Sequence, residues 1–287
     1  MRIPTAAVPE ATVDLRTQLC QDVIDRVERC LGVRLDREAA VVKRRSVGAR
    51  TDRDTWIRIE ARPFSRLTGQ GSGVEGAARL PEAVAKPEWY QGLSWQDPEQ
   101  CVLWRVDETE LVTVPPIKPG GILRSDPELA QAWWATLRRS LGALAAQTTT
   151  RVATPHTDPI SQARVTTTIE RVFAGRVGTI VTEWAVAHAD LAWANLTAPE
   201  CWLLDWEDWG LAPRGWDAAT LWGNSLAVPA LAERVQRDYR ADLGSRSGLV
   251  SQLFFCAEII AAGDDYAGPL AEPSRREAAR LISSLLS

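Results

Sequence analysis

Between positions 115 and 121 the chain reads Pro115, Pro116, Ile117, Lys118, Pro119, Gly120 and Gly121, its strongest punctuation. Proline fixes φ and removes a backbone donor, and glycine adds conformational freedom, so no regular element runs through such a stretch. It separates a first part carrying β-type runs from a second part that reads as mainly helical. The expected organisation is an N-terminal unit over residues 1–114, a linker over 115–121 and a helical unit over 122–287.

Before the linker, apolar residues Leu15, Leu19, Val23, Val27 and Leu31 recur every fourth position with Gly32 after them, which predicts a helix over 13–31. Residues before about 12 form a lead-in. Two β-rich runs, 40–47 and 55–60, flank a polar turn at 48–54 and predict a hairpin. A glycine-rich loop at 69–73 leads into a short helical stretch over 74–85. Two further strands are expected at 101–106 and 110–114, joined at Asp107 and Glu108. After the linker, Ser125 and Glu128 form a capping box for a helix whose buried stripe is Leu129, Trp133, Leu137, Leu141 and Leu144. Asp158 and Pro159 open a helix running to about Phe173. Short apolar runs at 185–187 and 201–204 read as strands. From Trp216 the chain is helical, punctuated at Pro229, Gly244, Gly268 and Pro273.

The composition narrows the function classes. A net charge of −4 with intermixed signs shows no basic face for nucleic acid, so no nucleic-acid partner is expected. The five cysteines are scattered, without a C-x-x-C pair, which disfavours both a disulfide framework and a zinc site. The first residues lack a signal-peptide core, and no run approaches a membrane span, so a cytoplasmic protein with no membrane partner is expected. No G-x-S-x-G elbow is present, so an α/β-hydrolase has no support. His156 lies in a Pro-rich loop and is expected to be solvated. Nothing in the sequence sets the oligomeric state.

Chemistry concentrates between His188 and Asp205. The run His188, Ala189, Asp190, Leu191, Ala192, Trp193, Ala194, Asn195 is followed by Asp205, Trp206 and Glu207. Phosphoryl transfer needs an acceptor that orients the nucleophile's hydroxyl, and magnesium needs carboxylate or carboxamide oxygens on a rigid frame. A loop carrying Asp190 and Asn195, with strands 195–197 and 201–204 pairing behind it and Asp205 at their end, points all three side chains into one pocket.

This H-x-D-x-x-x-x-N loop followed by D-W-E resembles the aminoglycoside phosphotransferase and choline kinase group, relatives of the protein kinases. The resemblance covers roughly residues 188–220. It implies an α+β, bilobal protein-kinase-like fold, with a small β-rich N-lobe and a larger helical C-lobe. It also implies an ATP-dependent small-molecule kinase. By the same resemblance Asp190 is the catalytic base, Asn195 and Asp205 hold Mg, and His188 braces the loop. Asp217, after Gly215 and Trp216, ties the next helix back to the catalytic loop. The acceptor it implies is a small-molecule hydroxyl on an antibiotic such as an aminoglycoside, a sugar or an amino alcohol, with antibiotic resistance as a role. Many relatives carry glycine, histidine, proline and glycine where this chain has Ala189, Ala192, Trp193 and Ala194. Trp193 either stacks on the acceptor or packs into the helical lobe. Glu207, Glu258, Asp264 and Asp265 are candidates to meet a cationic acceptor, or else solvated charges.

The nucleotide half departs further from the family. Such kinases present a strand lysine to the α- and β-phosphates, but the only lysines are Lys43, Lys86 and Lys118, and none lies in the 55–60 run. Arg58 is the candidate substitute, partnered by Glu75. Alternatively it is an exposed strand residue paired with its neighbours. Arg50 and Thr51, in the turn after Gly48 and Ala49, are candidates to cover the phosphates. The loop at 69–73 lacks the G-K-[ST] ending of a phosphate loop and reads as a flexible connection. Val114, opening a hinge over 114–117, is the candidate to meet the adenine edge. Without the lysine, a second function stays open: a pseudokinase-type protein that binds nucleotide or ligand without turnover.

Overall fold

The alternation of apolar residues along the first part of the chain builds a five-stranded antiparallel sheet, seen in a computed structural model that describes residues 13–17, 21–67, 70–118, 122–155 and 158–287. The lead-in, Gly69, His156 and the linker residues Pro119 to Gly121 lie outside these residues. The strands are β1 (Val41–Val42), β2 (Ser46–Arg50), β3 (Thr55–Pro63), β4 (Trp89–Asp97) and β5 (Val102–Glu110), in the order β1-β2-β3-β5-β4. One face carries Val47, Ala49, Ile57, Ile59, Ala61, Val102, Trp104 and Val106, all buried with Val23, Ile24 and Val27 of helix α1 (Gln21–Leu31). Burial of this contiguous apolar set is what holds the sheet and helix together.

Several boundaries differ from expectation. Helix α1 starts at Gln21, while residues 15–17 form a turn whose Leu15 plugs the same core. The 40–47 run breaks in two because Lys43, Arg44 and Arg45 make a turn, with Lys43 N–H donating to Ser46 O at 2.8 Å. The expected hairpin forms between β2 and β3, with Gly48 and Ala49 in the strand and the turn confined to Thr51–Asp54. The helix expected over 74–85 shrinks to α2 (Gly73–Ala77). Asp107 and Glu108, read as a turn, lie inside β5 and are buried. Their carboxylates are satisfied across the sheet. Trp89 Nε1 donates to Asp107 at 2.9 Å, and Thr55 Oγ1 and Gln91 Nε2 donate to Glu108 at 2.5 and 2.6 Å. A buried carboxylate with such partners is tolerated in a strand, which local sequence does not reveal. The donor strand β4, with its Gly92 and polar residues, was not anticipated.

The second part is mainly helical: α3 (Gln131–Ala145), α4 (Gln162–Phe173), α5 (Trp216–Asn224), α6 (Pro229–Asp238), α7 (Arg240–Leu243), α8 (Arg246–Ala262), α9 (Asp264–Ala267) and α10 (Ala271–Leu286). Of the expected stripe, Trp133, Leu137, Leu141 and Leu144 are buried in α3, while Leu129 precedes the helix and is half-buried. The capping box is not formed. Glu128 is left-handed at φ 50, and its N–H donates to Asp126 Oδ1 at 2.8 Å, a local turn that delays the helix to Gln131. Likewise α4 begins after Ser161, whose hydroxyl accepts from Arg164 N–H at 3.2 Å. Pro229 opens α6, whereas Pro273 sits in the first turn of α10, where its missing N–H costs nothing. Helix α8 is buried around most of its girth and packs against α4, α5, α7 and α10.

The chain divides into two compact units, one of residues up to Arg79 plus Pro87–Thr113, the other of Leu80–Lys86 plus Val114–Ser287. The segment Leu80–Lys86 is fastened within the second unit by Ser140 Oγ, which accepts from Ala85 N–H at 3.0 Å. Among the described residues no helix is long and apolar enough to cross a membrane.

Candidate active site

Strand β6 (Trp184–Ala187) pairs antiparallel with β7 (Gly210–Pro213), and the two frame the loop that sequence singles out. At the end of β6, the His188 and Ala189 N–H groups donate to Asp217 Oδ2 and Oδ1, each at 2.8 Å. Asp217 lies in the first turn of α5 and is buried, so helix and loop are joined as the resemblance implied. Burial pushes its carboxyl upward in pKa, while His188 and the two N–H donors pull it back. Ala189 takes φ 74, a left-handed conformation that favours glycine. Trp216 Nε1 caps its carbonyl at 3.2 Å.

His188 is fully buried, and its ring stands edge-on to Trp206 at 4.7 Å between centroids. Its Nε2 meets Leu204 O at 2.8 Å, so Nε2 carries the proton and donates. Burial holds its pKa below the ordinary imidazole value, keeping the ring neutral. A neutral ring spent on a backbone carbonyl fits a brace.

Asn195 closes a single helical turn and points back along the loop. Its Nδ2 donates to Asp190 O at 2.8 Å and to Asp190 Oδ2 at 3.0 Å. The amide nitrogen is therefore committed to Asp190, and the carboxamide oxygen is the end left to meet a cation. Leu204 N–H donates to Asn195 O at 2.9 Å, which sets Asp205 one residue beyond that junction. Asp205 is left-handed at φ 69, a region Asp tolerates better than most residues. The expected pairing of 195–197 with 201–204 reduces to one bridge, Leu196 to Leu203. Thr197 accounts for this: its hydroxyl donates to Glu200 O at 2.5 Å and accepts from Trp202 N–H at 3.0 Å, closing a tight turn.

No cluster of three His, Cys, Asp or Glu among the described residues is arranged to hold a metal. Magnesium takes one or two carboxylates with substrate phosphates and waters rather than an all-protein cage. Hard oxygens of Asp205 and Asn195 are the right donor type.

Other candidates fall differently. Trp193 is buried, stacked on Trp133 at 6.2 Å, with its Nε1 donating to Ser225 Oγ at 3.1 Å. It packs in the core of the helical unit. Glu258 is exposed and lies 3.8 Å from Arg164, while Asp264 is ion-paired with Arg275 on the surface. Asp265 is exposed at the start of α9, and Glu207 is half-buried just beyond Asp205. The expected hinge is largely engaged by residues 193–198. Ile117 N–H donates to Leu196 O at 2.8 Å, and Pro115 O accepts from Ala198 N–H at 3.3 Å.

In the first unit, register places Arg58 opposite Asp107 and Gly48, on the face that also carries Glu60, Arg62 and Arg105. Glu75, expected to partner Arg58, accepts from Arg105 Nη2 at 3.1 Å. Arg105 also grips Asp107 through Nε at 3.1 Å and Nη2 at 2.6 Å, a fork suited to a carboxylate. Arg105 was missed because a lone arginine in a strand carries no local signal. Arg50 Nε donates to the Asp54 carboxylate at 3.0 Å. Thr51 is buried, its hydroxyl shared with Thr55 Oγ1 at 2.7 Å and accepting from Arg53 N–H. Both residues are hydrogen-bonded within their own turn. Trp56 lies over Gly48, where a Cβ would come within 2.3 Å of its ring.

No family model and no curated protein matches the chain by sequence. Solved structures do. The aminoglycoside phosphotransferase APH(4)-Ia superposes with a TM-score of 0.58 at 13% identity, covering 92% of this chain and 98% of that one. APH(3'')-Id from Streptomyces rimosus gives 0.52 at 12% identity, covering 90% and 99%. Spectinomycin phosphotransferase APH(9)-Ia, solved with ADP and spectinomycin, gives 0.51 at 9% identity, covering 93% and 97%. The chain has the α+β fold of the aminoglycoside phosphotransferases.

Proposed function

We propose that the chain is an ATP- and magnesium-dependent phosphotransferase that moves the γ-phosphate to a hydroxyl of a small molecule. The observation that carries this reading is the grip of Asn195 Nδ2 on both the carbonyl and the carboxylate of Asp190. Such a grip aims a half-buried carboxylate and turns the carboxamide oxygen the other way, which suits a base beside a cation site. In this reading Asp190 accepts the acceptor hydroxyl's proton as the new O–P bond forms. Asn195 and Asp205 hold magnesium, which when bound neutralises charge on the phosphates. His188 and Asp217 keep the loop in shape. Arg58 is the proposed phosphate contact, and Val114 N–H is the proposed adenine contact. Arginine brings a flat fork where relatives use lysine's point charge.

The acceptor class is an antibiotic such as an aminoglycoside, a sugar or an amino alcohol. Neighbouring folds were solved with hygromycin B and with spectinomycin, which supports that range. The test is ATP consumption over an acceptor panel by wild type and Asp190→Asn. Loss of a positioned base should cut turnover by about 10²–10⁴-fold, while the melting shift given by ATP with magnesium persists. Unchanged turnover in Asp190→Asn would remove the base. The absence of a strand lysine favours a second reading, a nucleotide-binding pseudokinase. A wild type that binds nucleotide but consumes no ATP with any acceptor selects it.

A further inference from the structure

We infer that Arg151 is a positioning residue that sets the conformation of the Asp205 loop from behind. The guanidinium reaches two carbonyls of that loop at once: Nε donates to Trp209 O at 2.8 Å, and Nη2 to Glu207 O at 2.9 Å. It also lies over the Trp209 ring, 5.6 Å from the centroid. The backbone beside it continues the fastening. Leu211 N–H donates to Arg151 O at 2.8 Å, Ala153 N–H to Leu211 O at 3.1 Å, and Thr154 N–H to Asp208 O at 2.9 Å. Thr154 Oγ1 adds a bond to Asp208 Oδ1 at 3.2 Å. The approach is close enough to require glycine at 210, where a Cβ would sit 2.5 Å from Ala153 N. On the opposite side, Trp206 Nε1 donates to Leu203 O at 2.7 Å. Asp205 is thus the left-handed residue between two pinned stretches, and where its carboxylate points depends on both.

The inference rests on the reading of Asp205 as a metal ligand. Two effects of Arg151 have opposite signs. As a bare cation it would repel a divalent ion, so removing its charge would tighten metal binding. As a clamp across two carbonyls it holds the carboxylate in place, so removing it weakens metal binding. Lysine keeps the charge but lacks the planar fork that spans two acceptors. Loss of an outer support of a metal ligand weakens affinity by about 10–100-fold.

The experiment is Mn²⁺ binding in the presence of ADP, without turnover, read by electron paramagnetic resonance on full-length protein. Arg151→Lys and Arg151→Gln are both expected to bind Mn²⁺ about tenfold more weakly, with ADP affinity in the absence of metal unchanged. Unchanged affinity in Arg151→Lys with tighter binding in Arg151→Gln would mean that only charge matters and would overturn the clamp. A lowered melting temperature with wild-type Mn²⁺ affinity would reduce Arg151 to a general structural role and also overturn it. If neither variant folds, Thr154→Val decides, since it loosens the same fastening and is expected to weaken Mn²⁺ binding in the same direction; no change refutes the inference. Asp205→Asn run in parallel separates the two readings. If it leaves Mn²⁺ binding intact, the metal assignment fails and this inference with it. If it weakens binding while the Arg151 variants do not, the clamp alone fails.

Discussion

Replacing Asp217 tests the junction on which the loop after β6 hangs. Its two carboxylate oxygens accept the N–H groups of His188 and Ala189 at 2.8 Å each, and those residues are 0% and 3% exposed. Asp217→Ala leaves both donors buried without an acceptor, at about 1–3 kcal/mol apiece. Against this runs the desolvation of the carboxylate itself, which burial opposes strongly enough to push its pKa up. Alanine relieves that cost, so the net loss should be about 2–4 kcal/mol rather than the full sum. Asp217→Asn keeps one acceptor and turns an NH₂ toward the other donor, so about half that loss is expected. The assay is urea denaturation followed by tryptophan fluorescence, with hydrogen exchange at the 188 and 189 amides as the local readout. An unchanged m-value would place the effect on the native state. A loss below about 0.5 kcal/mol in Asp217→Ala, the size of an ordinary surface change, with both amides still protected, would refute the reasoning.

Ala189→Gly should stabilise the protein, because φ 74 strains any residue with a Cβ. Relief of about 1–2 kcal/mol, less the extra unfolded-state freedom of glycine of about 0.4–1 kcal/mol, leaves a small gain, read as a higher melting temperature; a lower one counts against the strain. The buried His188 ring has a pKa below the unfolded value. The unfolded chain therefore takes up a proton first, and stability, full above about pH 6.5, declines as pH falls below it. Asp217, shifted upward, works in the opposite sense, so the comparison is with His188→Gln. That variant should show a flatter acid limb below about pH 6.5, and parallel limbs in the two proteins would mean that His188 is not held neutral. Arg58→Ala is expected to raise the Michaelis constant for ATP and lower turnover, and unchanged kinetics would take Arg58 out of the nucleotide site.

The tie of Asp217 to the 188–189 backbone was legible because its parts follow one another in a short stretch of sequence. The spacing of His188, Asp190 and Asn195 is set by one turn of chain, and the Asp217 junction closes a short excursion through β7. The buried stripe of α3, Trp133, Leu137, Leu141 and Leu144, was legible because helical periodicity alone assigns its buried face. Where a carboxylate sat in a strand, sequence misled. Asp107 and Glu108 look like a turn until Trp89, Thr55 and Gln91 arrive from other strands, and Arg105 from two residues back in their own, to satisfy them.

What sequence alone determined, then, was the buried face of α3 and the change from strands to helices across the proline-rich linker, both products of local spacing and backbone stiffness. Tertiary structure decided the partners: Glu75 with Arg105, Trp193 in the core, and Arg151 on the carbonyls of Glu207 and Trp209. Those choices depend on sheet register and on which helix faces which loop. A side chain's charge and length do not encode them, because burial and pairing are fixed only when distant segments meet.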